Sequence, residues 1–141
     1  MAKTTKAFTK GQLVTRLAQW DHEGTVTYRH AVVYSCGVKR MVLTDAVTGE
    51  EIGRNFRPEI GDVDNVPAHG WEGTFPRMTD EEAAELSLKV AAKIITALHE
   101  HYAERLAKWG DDRDYAAAMR AQEARIHEPR AIAFQPFRAP K

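Results

Sequence analysis

The chain has 141 residues, 43% hydrophobic and 28% charged, which suits one soluble domain with a core of its own and excludes a disordered segment. Twenty acidic residues balance twenty basic ones, and the single cysteine, Cys36, excludes an intramolecular disulfide and any cysteine-rich zinc site. Charge is unevenly spread, with +4 over residues 1–58, −7 over 59–128 and +3 over 129–141, so the segments pair within the fold or give it two electrostatic faces.

The N-terminal "MAKTTKAFTKGQ" is basic and lacks the apolar run of a secretory signal, and no apolar run reaches the length of a membrane span, so a cytoplasmic protein is expected. A β-meander over 12–56 follows. "QLVTRLAQW" (12–20) is the first expected strand. In "TVTYRHAVVYS" (25–35), Val26, Tyr28, Val32 and Tyr34 recur with the period of two that marks a half-buried strand. "KRMVLTD" (39–45) and "EEIGRNF" (50–56) complete four antiparallel strands. Gly24, Gly37 and Gly49 fall at the three turns, where hairpins call for positive φ, and Asp45 is placed to accept from turn amides. Residues 57–78, "RPEIGDVDNVPAHGWEGTFPRM", read as a long irregular acidic loop with Trp71 between two glycines, placed either to fold back with Phe75 as a lid on the helix–sheet seam or to anchor a partner.

"TDEE" (79–82) is a capping box that opens a helix running to Trp109, with Gly110 as its stop. Ala84, Leu88, Ala91, Ile95, Leu98, Tyr102, Leu106 and Trp109 form its expected buried stripe, widened by Ala83, Leu86, Val90, Ile94 and Ala97. A helix this apolar needs cover on several sides. A homodimer is expected unless a second helix supplies that cover. The second helix, 112–127, is capped by Asp111 or Asp112 and closes a helical hairpin over 79–127. The tail, 128–141, is expected to be extended and docked through Ile132, Phe134 and Phe137.

Phosphate-binding glycine motifs and nucleophile elbows are absent. His99 and His101 in "HEHY" point roughly 160° apart on a helix and cannot share one ion. "DVDN" (62–65) starts like a calcium loop, but Pro67 stands at the glycine position and Gly73 at the bidentate glutamate position. Cys36 and His30 continue strand faces and read as structural. No catalytic residue, cofactor or metal is therefore expected.

These elements predict a single-domain α+β fold: a four-stranded antiparallel β-meander, a long loop, a long helix, a second helix and an extended tail. The expected function is non-enzymatic binding of a macromolecule, a protein first, as a regulator, adaptor or inhibitor. Its contacts would be Trp71, Asp62, Asp64, Glu72, Phe75, Phe134 and Phe137. The alternative is a single-stranded nucleic-acid binder using a basic and aromatic sheet face: Arg16, Trp20, Arg29, Lys39, Arg40, Arg54, Phe56 and Arg57. An enzyme with a dispersed site around Cys36 or His30 comes third.

Overall fold

The computed structural model describes residues 7–134. The elements are β1 (Leu13–Gln19), β2 (Thr25–Cys36), β3 (Met41–Asp45), β4 (Glu51–Phe56), β5 (Glu72–Pro76), α1 (Asp80–Trp109), α2 (Arg113–Glu123) and β6 (Arg130–Ala133). Among the described residues, no helix is long and apolar enough to cross a membrane.

The α+β class and the first four strands stand, but the sheet has six strands. Along its main path the order is β4-β3-β2-β1-β5, antiparallel throughout. β5 comes from the stretch expected to be all loop, where "EGTFP" pairs with β1. β6 comes from the tail and pairs parallel to Thr25–Tyr28 of β2. β1 takes one edge of the long β2. β6 and β3 therefore lie end to end along the other edge, with a notch between them.

Turn chemistry sets the register at two of the hairpins. Gly24 has φ +118°, and a Cβ there would lie 2.7 Å from Ile95 Cδ1, so this turn requires glycine for both backbone and packing. Asp45 Oδ1 accepts from the amides of Val47 and Thr48, and Gly49 closes the turn at φ +74°. Gly37 does not take the positive φ expected of it. Its turn closes instead by Gly37 N–H donating to the Arg40 carbonyl at 2.8 Å.

Strand alternation splits the apolar residues between two faces. On one face Leu17, Val26, Trp71 and Phe75 meet Val90, Ala91, Ile94 and Leu98 of α1. On the other, Phe8 closes over Val14, Ala31, Val33, Met41 and Leu43, with Phe56 at the margin. Each fully buried aliphatic side chain contributes about 1.5–3 kcal/mol relative to exposure.

Both halves of the capping box at Thr79 and Glu82 are present, and Asp80, Glu81 and Glu82 complement the positive helix end. The buried stripe is Ala83, Ser87, Val90, Ala91, Ile94, Leu98 and Tyr102. Leu88, expected at the stripe's centre, is 42% exposed. The apolar girth of α1 is so wide that periodicity alone did not show which side meets the sheet. α1 runs antiparallel to β2, with Asp80 at His30 and Ile95 at Gly24. Beyond the sheet it packs on α2, where His99 Nδ1 lies 2.9 Å from Glu123 and Tyr102 meets Gln122. Gly110 ends α1 in right-handed backbone, φ −69°, without the left-handed turn common at such stops.

Candidate functional site

Among the described residues, the face of the sheet turned away from the helices is covered at its Phe8 end. The remainder presents Arg16, Ala18 and Trp20 from β1 and its end, Thr27 and Arg29 from β2, Glu72 and Thr74 from β5, and Ile132 and Phe134 from β6 and its end. Trp20 is 63% exposed and Ile132 46%. Together with Thr27, Ala133 and Phe134 they line a shallow pocket of about 210 Å³.

Two arginines lie flat among these side chains, each held by a carboxylate and an aromatic ring. Arg16 donates to Glu72 Oε2 at 2.7 Å and to Thr74 Oγ1 at 2.9 Å, and its guanidinium sits 4.3 Å from the Phe56 ring centre. Burial lowers its pKa, and the charge and hydrogen bond of Glu72 oppose that shift. Arg29 donates to Asp45 Oδ2 at 2.8 Å and stacks 3.9 Å from the Phe134 ring centre. Its Nε is buried without a hydrogen-bond partner among the described residues. Burial works to raise the Asp45 pKa, but the hydrogen bond from Arg29 and the amides of Thr48 and Val47 outweigh it, holding the carboxyl at about 2. Both guanidiniums are thus paired in place, and the exposed apolar side chains of this face, Trp20 and Ile132, gather beside them.

The notch between β3 and β6 forms a second pocket of about 240 Å³, lined by Tyr28, Arg29, His30, Asp45, Asp80 and Phe134 among others. Behind it runs a relay: Thr15 Oγ1 lies 2.9 Å from His30 Nδ1, and His30 Nε2 lies 2.6 Å from Asp80 Oδ1. The order of groups is that of a nucleophile, base and orienting acid. The Thr15 side chain, however, is fully buried and its oxygen accepts from the Met78 amide. An attacking hydroxyl must reach substrate, and this one instead fastens the helix entry to the sheet.

The expected partner contacts are scattered. Trp71 is 5% exposed, donates from Nε1 to the Asp62 carbonyl at 2.8 Å and takes the lid position on the helix–sheet seam. Phe75, at 7% exposure, is core beside it. Neither presents a surface to a partner, because β5 turns this stretch back under α1. The Asp62 side chain caps its own loop through the amides of Asp64 and Asn65. Asp64 is exposed near Lys93, away from the open face. Glu72 and Phe134 do reach that face. Phe137 lies outside the described residues.

Of the expected basic face, Arg16, Trp20, Arg29 and Phe56 come together. Lys39 and Arg40 sit in the β2–β3 turn, Arg54 pairs with Glu51 on β4, and Arg57 follows β4. The chain matches no family model, no curated protein and no solved structure. Cys36 is half-buried, its thiol donating to the Phe8 carbonyl.

Two histidine groupings were not legible from spacing. His22 Nδ1 and His69 Nδ1 lie 2.9 Å apart, and the His69 and His101 rings are 5.0 Å apart. Burial, then the neighbouring His22 and His101, hold the His69 pKa below 6.5. The other grouping joins His127 to Asp21 and Glu23.

Proposed function

We propose that the chain is a non-enzymatic protein-binding module, and that it receives an apolar side chain of its partner on the open sheet face between Trp20, Ile132 and Phe134. The carrying observation is the exposure of Trp20 and Ile132 beside the 210 Å³ pocket, while the arginines of the same face are committed to carboxylates. Aromatic anchors with a polar rim are the usual source of binding energy in protein interfaces. Ion-paired arginines supply little free charge for a phosphate backbone. The reading keeps a protein as partner and moves the contact from the Trp71 loop to the sheet.

The test is affinity capture of a partner from the native host, followed by titration of that purified partner against the wild-type chain and Trp20→Ala. A tenfold or greater loss of affinity with unchanged melting temperature is expected. The exposed Lys39, Arg40 and Arg57 at the far end of the sheet define the competing outcome. If random single-stranded DNA binds with an affinity that falls steeply with salt, and Arg40→Glu with Arg57→Glu abolishes it, the chain is a nucleic-acid binder instead.

A further inference from the structure

The β1–β2 turn, "DHEG", carries two acids, Asp21 and Glu23, that meet His127 from the far end of the chain. Asp21 Oδ1 is fully used, accepting from the amides of Glu23, Gly24 and Thr25 at 3.0, 3.1 and 3.0 Å. That leaves Oδ2 turned toward the segment between α2 and β6. There His127 Nδ1 lies 2.7 Å from the Glu128 carbonyl oxygen. A carbonyl only accepts, so Nδ1 carries the proton, and in the neutral ring Nε2 is a bare lone pair. A carbonyl that holds the Nδ1 proton in this way orients a histidine to ligate through Nε2.

Nε2 lies 3.8 Å from Asp21 Oδ2, too far for a hydrogen bond, and accepts a long one from the Thr25 hydroxyl at 3.3 Å, which a rotation of that hydroxyl releases. One ligand atom each from Asp21, Glu23 and His127 falls within 4.8 Å of the others. Two ligands each roughly 2.0–2.2 Å from a common zinc ion stand at most about 4.4 Å apart, so small side-chain rotations suffice to close the set. The Asp21 side chain is 27% exposed, His127 18% and Glu23 36%, partly sheltered yet open to ion entry. Arg125 meets Glu23 only at 3.6 Å and is 73% exposed, so its guanidinium can leave for solvent.

We infer that Asp21, Glu23 and His127 form a binding site for one divalent transition-metal ion, with zinc the best fit. Two carboxylates and one neutral imidazole balance the ion's charge and match its preference for nitrogen and oxygen donors. Water completes the coordination. The ion ties the β1–β2 turn to the residues that lead into β6. Sequence spacing hid the site, because its ligands come from opposite ends of the chain. It is independent of what the open face binds.

The experiment is calorimetric titration of zinc chloride into the full chain after chelator treatment, with melting curves in parallel. One ion per chain at micromolar affinity and a higher melting temperature with zinc are expected. Glu23→Gln and His127→Ala should each weaken binding tenfold or more, and Glu23→Gln leaves the apo fold intact because its ion pair is long and exposed. Absence of binding up to millimolar zinc overturns the proposal. So does binding that survives both variants and is lost on His69→Ala, which would place the ion at the His22–His69–His101 group.

Discussion

The two faces of the sheet are made by the same strands and finished in opposite ways. Under α1, Leu17 of β1 and Phe75 of β5 meet the apolar side chains of the helix, and the polar groups Thr15, His30 and Asp80 are linked to one another. On the open face the sheet is levelled by two guanidiniums, each flat against a ring and tied to a carboxylate. The first face gains stability by excluding water. The second tolerates water where its charges are paired in place, and Trp20 and Ile132 remain exposed beside them. Both sides of the sheet thus carry a buried cluster, but the exposed Trp20 and Ile132 stand on one side alone.

Substitutions on the two faces should separate by size. Trp71→Ala removes a buried ring and its hydrogen bond, and should cost about 3–5 kcal/mol in urea unfolding; Leu98→Ala should cost about 2–5 kcal/mol. A loss under about 0.5 kcal/mol for either would mean that the helix does not close this face. At the helix entry, Thr79→Ala removes the cap and should cost about 1 kcal/mol, visible as a lower denaturant midpoint.

Acid should reach the open face next. The Asp45 carboxyl is lowered from 3.8 to about 2 in the fold, so its contribution is complete above pH 3.8 and is lost as pH falls toward 2. With solvent screening that contribution is about 1 kcal/mol. Denaturant midpoints measured down this range should fall less steeply for Asp45→Asn than for wild type, and equal slopes would detach Arg29 from its assigned partner. The smallest effect is expected at the surface. Trp20→Ala and Ile132→Ala should change stability by no more than about 0.5 kcal/mol. A larger loss would show that the open face is already closed by the chain itself.

Local signals in the sequence carried much of the local structure. The Asp45 turn and the Thr79–Glu82 box depend on residues a few positions apart, and both appear as read. The β2 strand is present, but beyond Tyr28 its buried residues are Ala31 and Val33, while Tyr34 of the expected face is 64% exposed past an irregularity at Val33–Ser35. What was hidden is long-range. "EGTFP" and "RAIA" are short and lie next to prolines, and only pairing with β1 and β2 makes them strands. The carboxylate partner of Arg16 lies 56 positions away, set by the β1–β5 register. Trp71 between glycines reads as a lid or as an exposed anchor, and the pairing of the adjacent β5 turns it inward. The open face could be assembled from sequence only in part, since its Ile132 and Phe134 arrive with a strand whose pairing no local pattern announces.

The parallel pairing of β6 also governs the order in which the chain can be completed. During synthesis, the edge of β2 at Thr25–Tyr28 emerges about 100 residues before Arg130–Ala133, the segment that will cover it. Until then that edge shows unpaired amides and carbonyls, open to another nascent chain or to a chaperone. A ribosome that stops between residues 124 and 129 releases a product with both α1 and α2 and an unfinished sheet.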